Sequence, residues 1–194
     1  MIRAIIFDCF GVLYADCSVL FYEREVKDFL QLKDQIFELD NQYNYGLIDE
    51  VDHAEALTDL TGLDYGFIRK HLRKDQVINQ VLLDYSQKLR PDYKLGLLSN
   101  IGMGGMEAFF SGDQQRELFD AVVLSGDVGV IKPNPEIYKI MAERLGVSTD
   151  ECVMIDDRIS NIEGADVAGM KTILYTSNRQ CVNDLEQLLG ASYT

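Results

Sequence analysis

Five short apolar runs constrain this chain more than any other feature of it. They are IRAIIF at 2–7, KLGLLS at 94–99, AVVL at 121–124, CVMI at 152–155 and KTILY at 171–175. Each has the length of a strand, and none alternates apolar with polar residues as a half-exposed strand does. Strands of that kind are buried on both faces, as in a parallel sheet covered by helices. Helical patterns separate them. PEIYKIMAERLG at 135–146 places Ile137, Ile140, Met141 and Leu145 on one face, with a proline at its start and Gly146 at its end. DRISNIEGADVAG at 157–169 is shorter and closes on Gly169. The strand–helix alternation from about residue 92 onward predicts an α/β fold built on a doubly wound parallel sheet.

Between the first and second runs the sequence carries no strand signal. SVLFYEREVKDFL spaces Val19, Tyr22, Val26 and Phe29 helically. DEVDHAEALTDL has Asp49 as its N-cap and carries Val51, Ala54 and Leu57. DQVINQVLLDYSQKLR carries Val77, Val81, Leu82, Tyr85 and Leu89 and stops at Pro91. Such a connection is too long for a plain crossover. The expected organisation is a core of residues 1–14 and 91–194, with a helical cap of residues 15–90 above the C-terminal edge of the sheet.

The 194 residues are 47% apolar and 26% charged, which suits one globular domain with a real core. No stretch approaches the roughly 20 apolar residues of a membrane helix. The N-terminus has one positive charge and a short apolar run before an aspartate, unlike a signal peptide. Cys9, Cys17, Cys152 and Cys181 form no C-x-x-C pair and fit free thiols in a reducing cytoplasm. The net charge of −14 argues against nucleic acid and anionic lipid as partners. Any anion site must therefore be local, made of a metal, a lysine and backbone N–H groups. The expected state is a monomer or a weak homo-oligomer.

Polar residues follow the apolar runs. Asp8 follows the first, Ser99 and Asn100 end the second, Lys132 lies in SGDVGVIKPNPEIY after the third, and Asp156 and Asp157 follow the fourth. In a doubly wound sheet these segments converge at the C-terminal edge. Carboxylates beside a lysine and a hydroxyl suit a divalent cation and a phosphoryl group, and an oxygen donor set favours Mg²⁺. A carboxylate there can accept the phosphoryl group covalently while metal and lysine neutralise its oxygens.

With FDCFGVLY at 7–14, LLSN at 97–100, GVIKPNPEIY at 129–138 and DDRISNIEGADVAGMKTI at 156–173, the chain resembles the haloacid dehalogenase superfamily, which is mostly phosphatases. Together with YGLIDEVDHAEAL at 45–57, these motifs are most similar to the branch that includes bacterial α-D-glucose 1-phosphate phosphatase. The resemblance implies a Mg²⁺-dependent phosphatase acting on a small phosphorylated metabolite, a sugar phosphate among the candidates, through an aspartyl-phosphate. It implies Asp8 as nucleophile and metal ligand, Asp156 on the metal, Asp157 on the metal or its water shell, and the backbone carbonyl of Phe10 as a further ligand. Ser99 and Lys132 would hold the phosphate, Lys132 would keep Asp8 ionised, and Asn100 would orient the phosphate or a water.

One residue departs from the pattern. The superfamily's first motif is D-x-D, whose second aspartate protonates the leaving oxygen, and here that position is Phe10. A good leaving group needs no such donor, and losing a general acid typically costs roughly 10²–10⁴-fold. Asp16, where the chain enters the cap, is the candidate substitute. Two other readings stand beside the phosphatase. A binding protein could keep the fold without turnover, supported by Phe10 alone. A 2-haloacid dehalogenase has an aromatic residue at this place, but it lacks the paired metal aspartates. The glycines of GMGGM at 102–106 read as a flexible helix entry, because Glu107 occupies the third glycine position of a nucleotide fingerprint. His53 and His71 are expected to be solvated on cap helices. Tyr14, Tyr22, Tyr43 and Tyr45 are expected mainly to pack, and Phe10 to pack under the cap or wall the site.

Overall fold

The structure is a computed structural model and describes residues 1–191. Among these residues the strands are β1 (Ala4–Phe7), β2 (Lys94–Ser99), β3 (Ala121–Leu124), β4 (Cys152–Asp156) and β5 (Lys171–Leu174). The helices are α1 (Ser18–Glu25), α2 (Phe29–Asn44), α3 (Glu50–Thr61), α4 (Tyr65–Asp75), α5 (Gln80–Leu89), α6 (Gly112–Leu118), α7 (Ser125–Val128), α8 (Pro135–Leu145), α9 (Ile159–Val167) and α10 (Asn178–Leu189). None is long and apolar enough to cross a membrane.

The strands form one parallel sheet in the order β3-β2-β1-β4-β5. The pleat sends alternate residues of each strand to opposite faces. Ile5 and Phe7 of β1, with Leu95, Leu97, Val153 and Ile155, pack against α5 and α10. Ala4 and Ile6, with Leu98, Val123 and Met154, pack against Ile137, Tyr138, Met141 and Leu145 of α8 and Ala165 of α9. This double burial is why the strands show no polar alternation. The order reverses at β1: the chain runs outward through β2 and β3, then returns to place β4 on the other side. Such a reversal leaves a crevice at the strands' C-terminal ends. Phe7 is in register with Ile155, so the next residues, Asp8 and Asp156, lie side by side at the C-terminal ends of their strands.

Helices α1 to α4 enclose their own apolar cluster of Phe21, Tyr22, Val26, Phe29, Ile36, Leu57 and Ile68. Asp49 caps α3 as expected, accepting from the N–H groups of Val51 and Asp52 at 2.8 and 2.9 Å. The two chains that join this bundle to the sheet run side by side, with Ala15 N–H donating to Val77 O at 3.0 Å and Asn79 N–H to Leu13 O at 2.8 Å.

Three details differ from the sequence expectation. The helical spacing from Val19 to Phe29 spans a break: α1 ends at Glu25, Asp28 takes a left-handed φ of 59°, and α2 starts at Phe29. Val19, Val51, Val77 and Val81 are exposed rather than inward-facing; for Val77 and Val81 the reason is that Asn79 starts α5 later and turns its apolar face to Leu82, Tyr85 and Leu89. Finally, α5 belongs with the sheet and not with the bundle. Leu82, Leu83, Tyr85 and Leu89 share the cluster of β1 and β2, and fully burying a leucine contributes roughly 1.5–3 kcal/mol.

Candidate active site

The strand ends meet as the sequence suggests. Asp8 is 5% exposed, Lys132 3%, and Ser99 and Asp156 are fully buried. Lys132 Nζ lies 2.7 Å from Asp8 Oδ1 and 2.7 Å from Asp156 Oδ2. Asp156 also accepts from Arg158 N–H at 2.9 Å and from Asn161 Nδ2, at 2.9 Å to Oδ1 and 3.1 Å to Oδ2. Asp8 Oδ1 accepts from Cys9 N–H at 2.6 Å.

Electrostatics here follow from one ammonium facing several carboxylates. Burial raises the Asp8 carboxyl to about 7; Lys132 opposes that rise, and Asp156 and Asp157 add to it. Burial favours discharging Lys132, but Asp8 and Asp156 outweigh it and hold the ammonium above its ordinary value. Asp157 is raised by burial and then by Asp156. The expectation that Lys132 keeps Asp8 ionised therefore holds in direction only, because burial is the larger effect.

These residues fit a divalent cation. Oxygens of Asp8, Asp156 and Asp157 lie within 4.8 Å of one another. Asp157 Oδ1 is buried without a hydrogen-bond partner, which normally costs about 1–3 kcal/mol. Around Phe10, Gly11 N–H donates to Tyr14 O, while the N–H groups of Leu13 and Tyr14 donate to Cys9 O. Among the described residues nothing donates to the Phe10 carbonyl. Gly11 has φ 91°, and a Cβ there would strike the Asp157 carboxylate, so the loop can lie against Asp157 only with glycine. Ser99 Oγ is the other buried site atom without a partner. A free hydroxyl lining the same cavity as Lys132 suits an anionic ligand.

Asn100 does something different from the sequence expectation. Its Oδ1 accepts from Lys132 N–H at 2.8 Å and its Nδ2 donates to Lys132 O at 3.0 Å. It lines the cavity, but its amide is first a clamp on the lysine backbone. Asp16 is similarly engaged: Oδ1 accepts from Ser18 N–H and Oγ, and Oδ2 pairs with Arg158 at 3.1 Å. Donating a proton from Asp16 would break that pair. Phe10 both packs and walls the site; its ring lies edge-on to Phe109 at 4.8 Å and lines the cavity.

Above these groups a cavity of about 530 Å³ extends into the helical bundle. His53 lines it and is buried, where the sequence expectation left it solvated. His71 does not line it; its ring packs on Phe67 and its Nδ1 lies 2.8 Å from Phe67 O. Tyr43 explains the first glycine of the 102–106 stretch. A Cβ on Gly102 would enter its ring, so the glycine admits the bundle to the sheet edge. Asn161 and Arg158, which orient Asp156, went unassigned in the sequence; their signal was the DDRISN stretch itself.

The haloacid dehalogenase-like hydrolase family model matches residues 2–169. The chain belongs to that family. It is a hydrolase of the haloacid dehalogenase superfamily. A predicted HAD-like family hydrolase from Porphyromonas gingivalis is similar at 27% identity and TM-score 0.80, covering 97% of this chain and 98% of that one. A Bacteroides thetaiotaomicron HAD family enzyme, in complex with magnesium and inorganic phosphate, is similar at 25% identity and TM-score 0.72, over 92% and 96%. Phosphatase MT3486 of Mycobacterium tuberculosis is 41% identical over 76 residues, 37% of this chain and 35% of that protein. The match therefore spans about a third of that curated relative's length.

Proposed function

We propose that the protein is a Mg²⁺-dependent phosphomonoesterase that hydrolyses a small phosphorylated metabolite through an aspartyl-phosphate on Asp8. The observation that carries this reading is the pairing of Lys132 with Asp8, one of three clustered carboxylates, in a cavity that Ser99 also lines, with Ser99 Oγ and an Asp157 oxygen both unpartnered. A Bacteroides relative that holds magnesium and phosphate supports it. Asp8, Asp156, Asp157 and the Phe10 carbonyl would hold the Mg²⁺, which would supply positive charge to offset the phosphoryl oxygens. Ser99 and Lys132 bind and orient the phosphoryl group, and Asn100 fixes Lys132 through its backbone. An oxygen of Asp8 attacks phosphorus as the leaving oxygen departs, and water then cleaves the aspartyl-phosphate, restoring Asp8. Residues 15 to about 78 act as the cap, and a sugar phosphate of the glucose 1-phosphate kind belongs to this substrate class.

The test is phosphate release from 4-nitrophenyl phosphate. It should require Mg²⁺, stop with chelator and return on adding Mg²⁺. Asp156→Ala should raise the Mg²⁺ requirement steeply and Asp157→Ala less so. Halide release from a 2-haloacid that continues in chelator would establish the dehalogenase reading instead. Binding of Mg²⁺ and phosphate with no turnover would establish the non-enzymatic one.

Phe10 leaves this site without its usual proton donor, so turnover should depend on leaving-group quality. Across aryl phosphates, log kcat should fall as the leaving phenol's pKa rises where the first chemical step limits turnover. Phe10→Asp should flatten that slope and help alkyl phosphates by up to roughly 10²-fold. An unchanged slope in a folded variant would mean that another group already donates the proton. Losing the edge-on contact with Phe109 has a cost, so thermal melting must confirm the fold.

A further inference from the structure

The cavity that opens from Asp8 ends in a bundle wall for which the reaction above has no use. There His53 of α3 is only 5% exposed. Its Nε2 lies 2.9 Å from Asp40 Oδ1 on α2, and its Nδ1 lies 3.5 Å from the Tyr65 hydroxyl on α4. The Tyr43 ring stacks on the imidazole at 4.7 Å and 12°. All four residues line the cavity.

An apolar side chain at position 53 would serve the packing of α2, α3 and α4 at least as well, since Ile36, Leu57 and Ile68 already form a core there. Burying an imidazole and a carboxylate instead is costly unless they are bonded, and here they are bonded to each other. What the pair leaves over is one acceptor. Asp40 Oδ2 has no hydrogen-bond partner among the described residues, and the Asp40 side chain is 30% exposed. Of the two α4 guanidinium groups that line the cavity, the half-buried Arg69 is already used, because it pairs with Glu50. Arg73, exposed on the last turn of α4, is the remaining one.

This wall presents a held carboxylate oxygen, a phenol hydroxyl and an aromatic face. A hydroxyl group, which donates to a carboxylate, complements it; an acid group meets Asp40 with like charge. We propose that Asp40, oriented by His53 and Tyr65, is the leaving-group recognition site, and that it selects phosphate esters of uncharged, hydroxyl-bearing alcohols over esters that carry a second acid group. The proposal rests on the phosphomonoesterase reading above.

The experiment compares kcat/KM for glycerol 3-phosphate and 3-phosphoglycerate, which share a three-carbon skeleton and differ in a hydroxyl-bearing carbon against a carboxylate. It uses the Mg²⁺-loaded full chain, with 4-nitrophenyl phosphate measured alongside. Wild type should favour glycerol 3-phosphate by about tenfold or more, the loss expected when a hydrogen bond to a charged group is replaced by repulsion. Asp40→Asn keeps the shape, removes the charge and should bring that ratio down by about tenfold or more. Tyr65→Phe, which removes a single hydroxyl, should lower it in the same direction and serves if Asp40→Asn does not fold. Equal use of the two esters by wild type, a preference for 3-phosphoglycerate, or an unchanged ratio in folded variants would each overturn the proposal. Failure of wild type to turn over 4-nitrophenyl phosphate removes the phosphatase reading and this proposal with it, which keeps the two failures apart.

Discussion

Asp8→Asn is expected to abolish turnover while leaving the fold in place. Only the carboxylate can form the acyl-phosphate, and removing a nucleophile typically costs roughly 10⁴-fold or more. The fold should tolerate the change because asparagine has the same shape. Its Oδ1 can still accept from Cys9 N–H, which in the native protein reaches Asp8 Oδ1 at 2.6 Å. Lys132 keeps its second partner, Asp156, at 2.7 Å. The variant also loses a charge that burial disfavours, since burial holds the Asp8 carboxyl at about 7. Its melting temperature should therefore move by no more than about 4 °C, equivalent to roughly 1 kcal/mol. Beryllofluoride with Mg²⁺, which mimics a phosphoryl group on a carboxylate, should raise the melting temperature of wild type but not of the variant. Turnover at the wild-type rate in Asp8→Asn would remove Asp8 from the reaction.

The position of this aspartate could be read from the sequence, and the reason is physical. A strand buried on both faces has a recognisable composition, and its end is marked by the first polar residue. AIIFD, LLSN and MIDD each mark such an end, and all three fall in the crevice beside β1 and β4. Parallel register then fixes which ends are neighbours, without any knowledge of side chains. What could not be read depends on distances between elements that are far apart in sequence. His53 looked like a solvated residue because α3 shows no pattern that points it at Asp40 and Tyr43 of α2. Asn100 looked like a phosphate ligand because its task, clamping the backbone of Lys132, joins two loops 32 residues apart. The spacing of Val19, Tyr22, Val26 and Phe29 was regular enough to suggest one helix. The left-handed turn at Asp28 that divides it has no signature as clear as glycine. Gly102 was legible as a glycine but not as the seat for Tyr43.

Lys132→Met is expected to damage both stability and activity, and the pH dependence of the loss identifies its cause. Lys132 is buried with its ammonium 2.7 Å from each of two carboxylates. Methionine fills similar space but leaves Asp8 and Asp156 buried and uncompensated. Breaking a buried ion pair in this way costs about 3–5 kcal/mol. The remedy left to the variant is protonation. In wild type the Asp8 carboxyl is already raised from 3.8 to about 7, because burial outweighs the lysine. A carboxyl whose folded value is raised binds its proton more tightly in the folded state. Its contribution to stability is thus fully present below the unfolded value, about 4, and is lost as pH rises through about 7. Without the lysine the folded value rises further, so this loss deepens. The Lys132 ammonium is itself held above its ordinary value. Its stabilisation of wild type is therefore complete below about pH 10 and constant from pH 5 to 8. The stability gap between wild type and variant, measured by urea unfolding with chelator present, should then be largest near pH 8 and shrink towards pH 5. Mg²⁺ should recover part of the gap at pH 8, since a divalent cation bound by the same carboxylates replaces the missing positive charge. Turnover should fall by roughly 10²–10³-fold even with Mg²⁺ bound, the loss expected when a fixed charge aimed at a transferring group is removed. A gap that stays constant from pH 5 to 8 would mean that lost packing of the lysine stem, and not two stranded carboxylates, governs the variant.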